Sequence, residues 1–224
     1  MISGNFDLVF TCLKEEDINK IYPNTNSENK IKFVKYLTGY ITPDLRNIDL
    51  SKNTRSIDIG YRGSIQPLDF GRLSLEKRTI GYAVKEFVDK KNLTQDDHKK
   101  IKIDISSKWE DRFSDNNWIN FLKNSKATLG CESGASIFDL YGNLNQRCIE
   151  IEKKHGPFNE SIEYANIFLS EIRDLENIIS YGQISPRHFE AAATKTLQIL
   201  YPGNYSDIFK PGLHYLELKR DHSN

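Results

Sequence analysis

Short runs with apolar residues on alternate positions give way along this chain to longer stretches in which apolar residues recur every three or four. NFDLVFT (residues 5–11) reads as a β-rich run, and CLKEEDINKIY follows it as a helix. PNTNSENK (23–30) is a polar, turn-rich loop, then IKFVKYLTGYI leads into the polar stretch TPDLRNIDLSKNT, ending near residue 54. We read residues 1–54 as the tail of a first domain and a linker. RSIDIGYRG (55–63) is a strand that turns at Gly63, and EKRTIGYAVKEFVDK (76–90) an amphipathic helix with Ile80, Val84, Phe87 and Val88 on one face. KIKIDIS (100–106) is a second strand, NNWINFLKNSK a helix presenting Trp118, Phe121 and Leu122, and ATLGCES a third strand. Residues 147–180 are mostly helical with a break at HGPFNES; SPRHFEAAATK is a compact helix with the apolar strand LQIL behind it. Strands alternating with helices predict an α/β, Rossmann-like parallel sheet over residues 55–224.

Composition narrows the partners. Lys plus Arg and Asp plus Glu number 31 each, so no global field draws nucleic acid or an acidic membrane. No run approaches the length of a membrane span, and the N-terminus lacks a basic, then apolar, leader pattern. Cys12, Cys131 and Cys148 are odd in number and contain no Cys-x-x-Cys pair, which suggests neither a disulfide framework nor zinc. A cytoplasmic protein is the expectation. Sequons begin at Asn92, Asn159 and Asn204, a number that chance supplies readily. His98, His155, His188, His214 and His222 show no metal-ligand spacing, and Asp-x-Asp is absent, so no metal or cofactor is expected.

Three segments carry candidate chemistry. In ISPRHFEAAATKTLQIL (184–200), Ser185 suits an N-cap and Pro186 the first helical position. The free N–H groups of such a helix start suit a phosphate, with Arg187 as a cation in the first turn. Glu190 lies one turn on, equally consistent with an ordinary Arg–Glu surface pair. In YRGSIQPLDFGRLSLEK (61–77), Arg62, Arg72 and Lys77 surround Gly63 and Gly71 after a strand, a loop in which cations could neutralise a diphosphate. A solvated loop explains the same residues. In LGCESGASIFD, the small residues, with Glu132, Ser133 and Ser136, could line a crevice at the end of a strand. They could equally form a tight turn with helix-capping serines. A nucleophile elbow needs Gly-x-Ser-x-Gly, whereas Glu132 stands two residues after Gly130.

ISPRHFEAAA, LQIL and YSDIFKPGLHYLELKRDHSN together resemble the C-terminal domain of group 1 glycosyltransferases, in the branch that includes spore-maturation-type proteins. LGCESGASIFDLYGN (129–143) and IDIGYRG (57–63) also resemble segments of this group, and GRLSLEK is similar to its Gly-Arg…Glu-Lys phosphate loop. The resemblance implies the donor-binding half of a GT-B enzyme that moves a sugar from a nucleotide diphosphate donor to an acceptor of unknown identity. Pro186, Arg187, Phe189 and Glu190 match the helix that this family sets against the nucleotide, its glutamate toward the ribose. Gly182 stands where many members carry a second glutamate, and Thr194 and Lys195 replace a pair of small residues.

The expected substrate-binding set is therefore Arg187, Glu190, Arg62, Arg72, Lys77, Glu132, Ser133 and Ser185, with no catalytic base assigned. The chain starts almost on a strand and stops at LKRDHSN without a closing helix, so a piece of a two-domain enzyme, inactive alone, is expected. The rivals are a non-catalytic nucleotide-sugar-binding module, or inactive remnant, and an α/β hydrolase using Cys131 or Ser133.

Overall fold

A computed structural model describes residues 6–22, 31–51, 54–64, 66–94, 96, 99–159, 161–176, 178–179 and 181–224. The loop expected at 23–30, and His98, lie outside them. The chain opens with β1 (Leu8–Thr11), α1 (Glu15–Ile21) and β2 (Lys32–Lys35), the two strands pairing in parallel. A single turn, α2 (Pro43–Arg46), capped by the Thr42 side chain, precedes the main sheet.

The main sheet is built from β3 (Ile57–Arg62), β4 (Ile103–Ser106), β5 (Ser125–Gly130), β8 (Leu197–Leu200) and β9 (Leu216–Glu217), in the order β4-β3-β5-β8-β9. Every pairing in it is parallel, as the alternation of strands and helices predicts. The crossovers are α3 (Arg72–Asn92) between β3 and β4, and α4 (Asp115–Asn124) between β4 and β5. Between β5 and β8 run β6 (Ser133–Ala135), α5 (Asn143–His155), α6 (Ile162–Glu171), β7 (Tyr181–Gln183) and α7 (Pro186–Ala193).

Alternation along β3 decides which helix covers which face. Tyr61 joins Ile80, Leu129, Cys131 and Tyr201 in the core under α3, with Ile59 and Val84 packed against it. On the opposite face Gly60 leaves room for α4: a Cβ there would meet Phe121 at 2.7 Å and the Ser125 hydroxyl closer still. A second core, Leu75 with Leu144, Ile151, Tyr164 and Phe168, fixes α5 and α6 on the outside of α3. The first turns of α3 are consequently buried on several sides, with Leu73, Ser74, Leu75 and Glu76 all inaccessible.

Two expectations about α3 need correction. The helix begins at Arg72 rather than Glu76, so GRLSLEK is a helix start and not a loop; Gly71, at φ 69°, makes the turn into it. Phe87 does not share the buried face, being 65% exposed where Val88 is 1%. The contact stripe runs Ile80–Val84–Val88, an i+4 row inclined to the helix axis, and Phe87 falls beside it.

The C-terminal segment adds the edge strand β9 and then ties back to α3. Arg220 Nε donates to Glu76 Oε1, and the Tyr201 hydroxyl and His222 Nε2 lie 2.6 Å apart. No helix among the described residues is long and apolar enough to cross a membrane.

Candidate functional site

β3 connects outward to β4 on one side, while the chain next adds β5 on the other. Successive crossovers thus diverge at the carboxyl ends of β3 and β5 and leave a crevice between them. A cavity of about 550 Å³ lies there, its floor formed by Tyr61 and Arg62 from β3 and by Thr128, Leu129 and Gly130 from β5. The start of α7 forms one wall and Lys77 of α3 another; Phe113 and Trp118 come from the β4–α4 side.

Seven of the eight residues expected from the sequence line this one cavity: Arg62, Lys77, Glu132, Ser133, Ser185, Arg187 and Glu190. Arg72 does not. Its guanidinium pairs with Glu76, its backbone N–H donates to Glu176 Oε1 at 2.8 Å, and it faces a separate small hollow with Arg220 and His222. Five residues separate Arg72 from Lys77, which sets them on opposed sides of the helix. Only Lys77 is turned to the crevice.

The three cations at the cavity differ in how far they are committed. Arg62 is buried, with Nε donating to Asp111 O and Nη1 to the Tyr61 and Asp104 carbonyls, all at 2.8–3.0 Å. Its Nη2 pairs with Asp104 Oδ1 at 2.8 Å, and the guanidinium lies between the Phe113 and Phe121 rings, 4.6 and 4.5 Å from their centroids. Arg62 therefore holds the loop after β4 against β3. Its carbonyl also accepts from Arg187 Nη1 at 2.7 Å. Arg187 is exposed, uses one bond to reach that carbonyl, and lies over Trp118 at 5.1 Å. The Lys77 ammonium has no hydrogen-bond or ion-pair partner among the described residues. Burial lowers its pKa, and the nearby Arg187 charge pushes the same way. Two positive groups thus face the same cavity, and neither is ion-paired among the described residues.

Glu190 is not the ion-pair partner of Arg187. Its Oε2 accepts from Trp118 Nε1 at 2.7 Å, which leaves Oε1 without a partner among the described residues. Trp118, read from the sequence only as part of an apolar helix face, is the residue that orients Glu190 and supports Arg187.

Glu132 is buried, and Oε1 accepts from the backbone N–H groups of Asn204 and Tyr205 at 3.0 and 2.9 Å. Burial raises its pKa against those two bonds. Gly182 and Gly203 make room for it, since a Cβ at either would fall within 2.7 Å of its side chain. The carboxylate of Glu132 occupies the space beside Gly182 that a side chain there would need.

Ser185 and Pro186 occupy the N-cap and first helical positions of α7, as the sequence indicates. Gly39 packs on Pro186, where a Cβ would come within 3.0 Å of its Cα, and the Thr38 hydroxyl donates to Ile184 O. The N-terminal segment thus abuts the helix start. His188, third in the helix, is buried at the cavity wall, and its Nδ1 accepts from the Ser185 N–H at 2.9 Å. Burial lowers its pKa to about 4, so the ring is neutral. A Ser N-cap followed three residues later by a hydrogen-bonding side chain was the available signal for this contact.

The groups a hydrolase would use are not set for it. The Cys131 thiol is buried, lies 3.4 Å from Glu132 O as a donor, and has its pKa pushed well up by burial. Among the described residues no histidine nitrogen is within hydrogen-bond distance of Cys131 or Ser133. Nor do any three His, Cys, Asp or Glu side chains among them gather closely enough to hold a metal ion. No protein-family model, curated protein or solved structure matches the chain.

Proposed function

We propose that this chain binds a nucleoside diphosphate sugar in the crevice between β3 and β5 and serves sugar transfer from it. The observation that carries this reading is the convergence of Lys77, Arg187 and the start of α7 on one space, with Glu190 one helical turn away. A diphosphate fits two cations that lack carboxylate partners in the site, together with a helix N-terminus. When the anomeric carbon–oxygen bond breaks, the departing diphosphate gains negative charge, and these same groups neutralise it without reorganising. The unpartnered Oε1 of Glu190 suits the ribose hydroxyls, which donate well to a carboxylate. The resemblance of residues 184–224 to the group 1 glycosyltransferase donor domain supports the same assignment.

The test is calorimetric titration of the chain with uridine, guanosine and adenosine diphosphates in the presence of chelator. One of them should bind, and Lys77→Ala should weaken it on the order of 10- to 100-fold, as loss of a charge-assisted bond does. Glu190→Gln, which keeps an acceptor for Trp118, should weaken the ribonucleotide but leave its 2′,3′-dideoxy analogue unchanged. Absence of binding by the parent, or affinity appearing only with added magnesium or manganese, refutes the reading.

A further inference from the structure

His188 has more hydrogen-bonding capacity than the fold uses. It is 4% exposed, and its ring is fixed edge-on to Tyr205 and Phe209, with centroids 5.1 and 5.9 Å away. Because Nδ1 accepts from the Ser185 N–H, the proton of the neutral ring sits on Nε2. That nitrogen has no partner among the described residues. It lies 3.6 Å from where a Cβ of residue 130 would stand, and Gly130 has none, so the approach from the cavity floor is open.

The helix start next to it is short of donors. Pro186 carries no N–H, and the His188 N–H is taken by Ser185 O at 3.0 Å, so among the described residues Arg187 has the one N–H of the first three positions left for a ligand. An anion placed there meets fewer backbone donors than an ordinary helix N-terminus offers. The buried side-chain N–H supplies the missing one from the same turn.

We propose that His188 is a ligand-binding residue whose Nε2–H donates to a phosphate oxygen of the nucleotide held between Lys77 and Arg187. This rests on the nucleoside diphosphate reading above. The contact is neutral: it adds direction to a site whose charge comes from Lys77 and Arg187, and it selects for an acceptor oxygen at one position on the helix start.

His188→Asn and His188→Gln separate the two ring nitrogens. The Asn side chain can still accept from the Ser185 N–H but does not reach the Nε2 position; the Gln amide reaches it. Each variant would be titrated with the nucleoside diphosphate that the parent binds and with the matching nucleoside. His188→Asn should lose about 10-fold in diphosphate affinity and nothing toward the nucleoside, while His188→Gln stays within about 3-fold of the parent. If the parent binds no nucleoside diphosphate, the site assignment falls and this inference with it. If the parent binds and His188→Asn binds equally well, only the inference falls. Equal losses in both variants, or equal losses for nucleoside and diphosphate, would assign the effect to packing against Tyr205 and Phe209 and overturn it. A measurement on the parent does not depend on variant folding: in nitrogen-15 imidazole spectra, adding the diphosphate should shift the His188 Nε2–H and slow its exchange with solvent. A signal that does not move refutes the contact.

Discussion

Lowering the pH should destabilise this protein through His188, and by an amount the burial of its ring sets. The folded-state pKa is lowered to about 4 by burial, while an unfolded chain titrates its histidines near 6.5. The folded form therefore binds fewer protons between these values, and stability must rise with pH across that window. The contribution is fully present above the unfolded pKa and is lost as pH falls toward 4. At pH 5 the unfolded ring is almost fully protonated and the folded ring only about a tenth, which corresponds to a loss of about 2 kcal/mol relative to pH 7. Arg187, in the adjoining position, opposes a second positive charge and acts in the same direction as burial. The assay is urea unfolding at pH 7 and pH 5, for the parent and for His188→Asn. With a urea dependence of about 2 kcal/mol per molar, the parent midpoint should fall by roughly 1 M more than that of the variant. Glu132, whose pKa burial raises, contributes with the opposite sign, and His222, lowered by burial, with the same sign. Both are present in each protein and drop out of the difference. Equal midpoint shifts in parent and variant would show that His188 is protonated in the folded state at pH 5, and the neutral-donor argument would fail with it.

Two further outcomes test the walls of the site. Gly134→Ala should destabilise the fold by at least about 1–3 kcal/mol, because residue 134 has φ 89° and an added Cβ would lie 2.1 Å from Tyr181 O; a urea midpoint equal to that of the parent would refute the β6–β7 geometry. Cys131 should resist alkylation by iodoacetamide at pH 8 in the folded protein while Cys12, which is partly exposed, reacts; labelling of Cys131, located by peptide mass mapping, would restore the nucleophile reading.

Local pattern was enough for the elements that place the cavity. IDIGYR, KIDIS and LQIL alternate or run apolar over strand lengths, and Ser185–Pro186 marks a helix start, so β3, β4, β8 and the start of α7 are legible in the amino-acid pattern alone. ATLGCES, in contrast, overruns β5, which starts at Ser125 and ends at Gly130; the last residue of that run, Ser133, opens β6. Candidate residues drawn from the ends of strands and the start of a helix converge because a parallel sheet puts all those ends on one side. The strands β6, β7 and β9 are three, three and two residues long, too short for alternation to register. Within the site, what the sequence withheld was commitment of charge. Arg72 and Lys77 look interchangeable in a cation-rich segment. They are separated by Glu176, which reaches Arg72 from 104 positions along the chain, and by Glu76, which no local window would assign to Arg72 and Arg220 together. Arg62 is likewise consumed by Asp104 and Asp111, and Glu190 is taken from Arg187 by Trp118, 72 positions away. Glu176 comes from the segment between β5 and β8, Asp104 from β4, and Asp111 and Trp118 from the β4–β5 crossover, so the charge left free for a ligand is fixed by topology, and Lys77 and Arg187 have no ion-pair partner among the described residues.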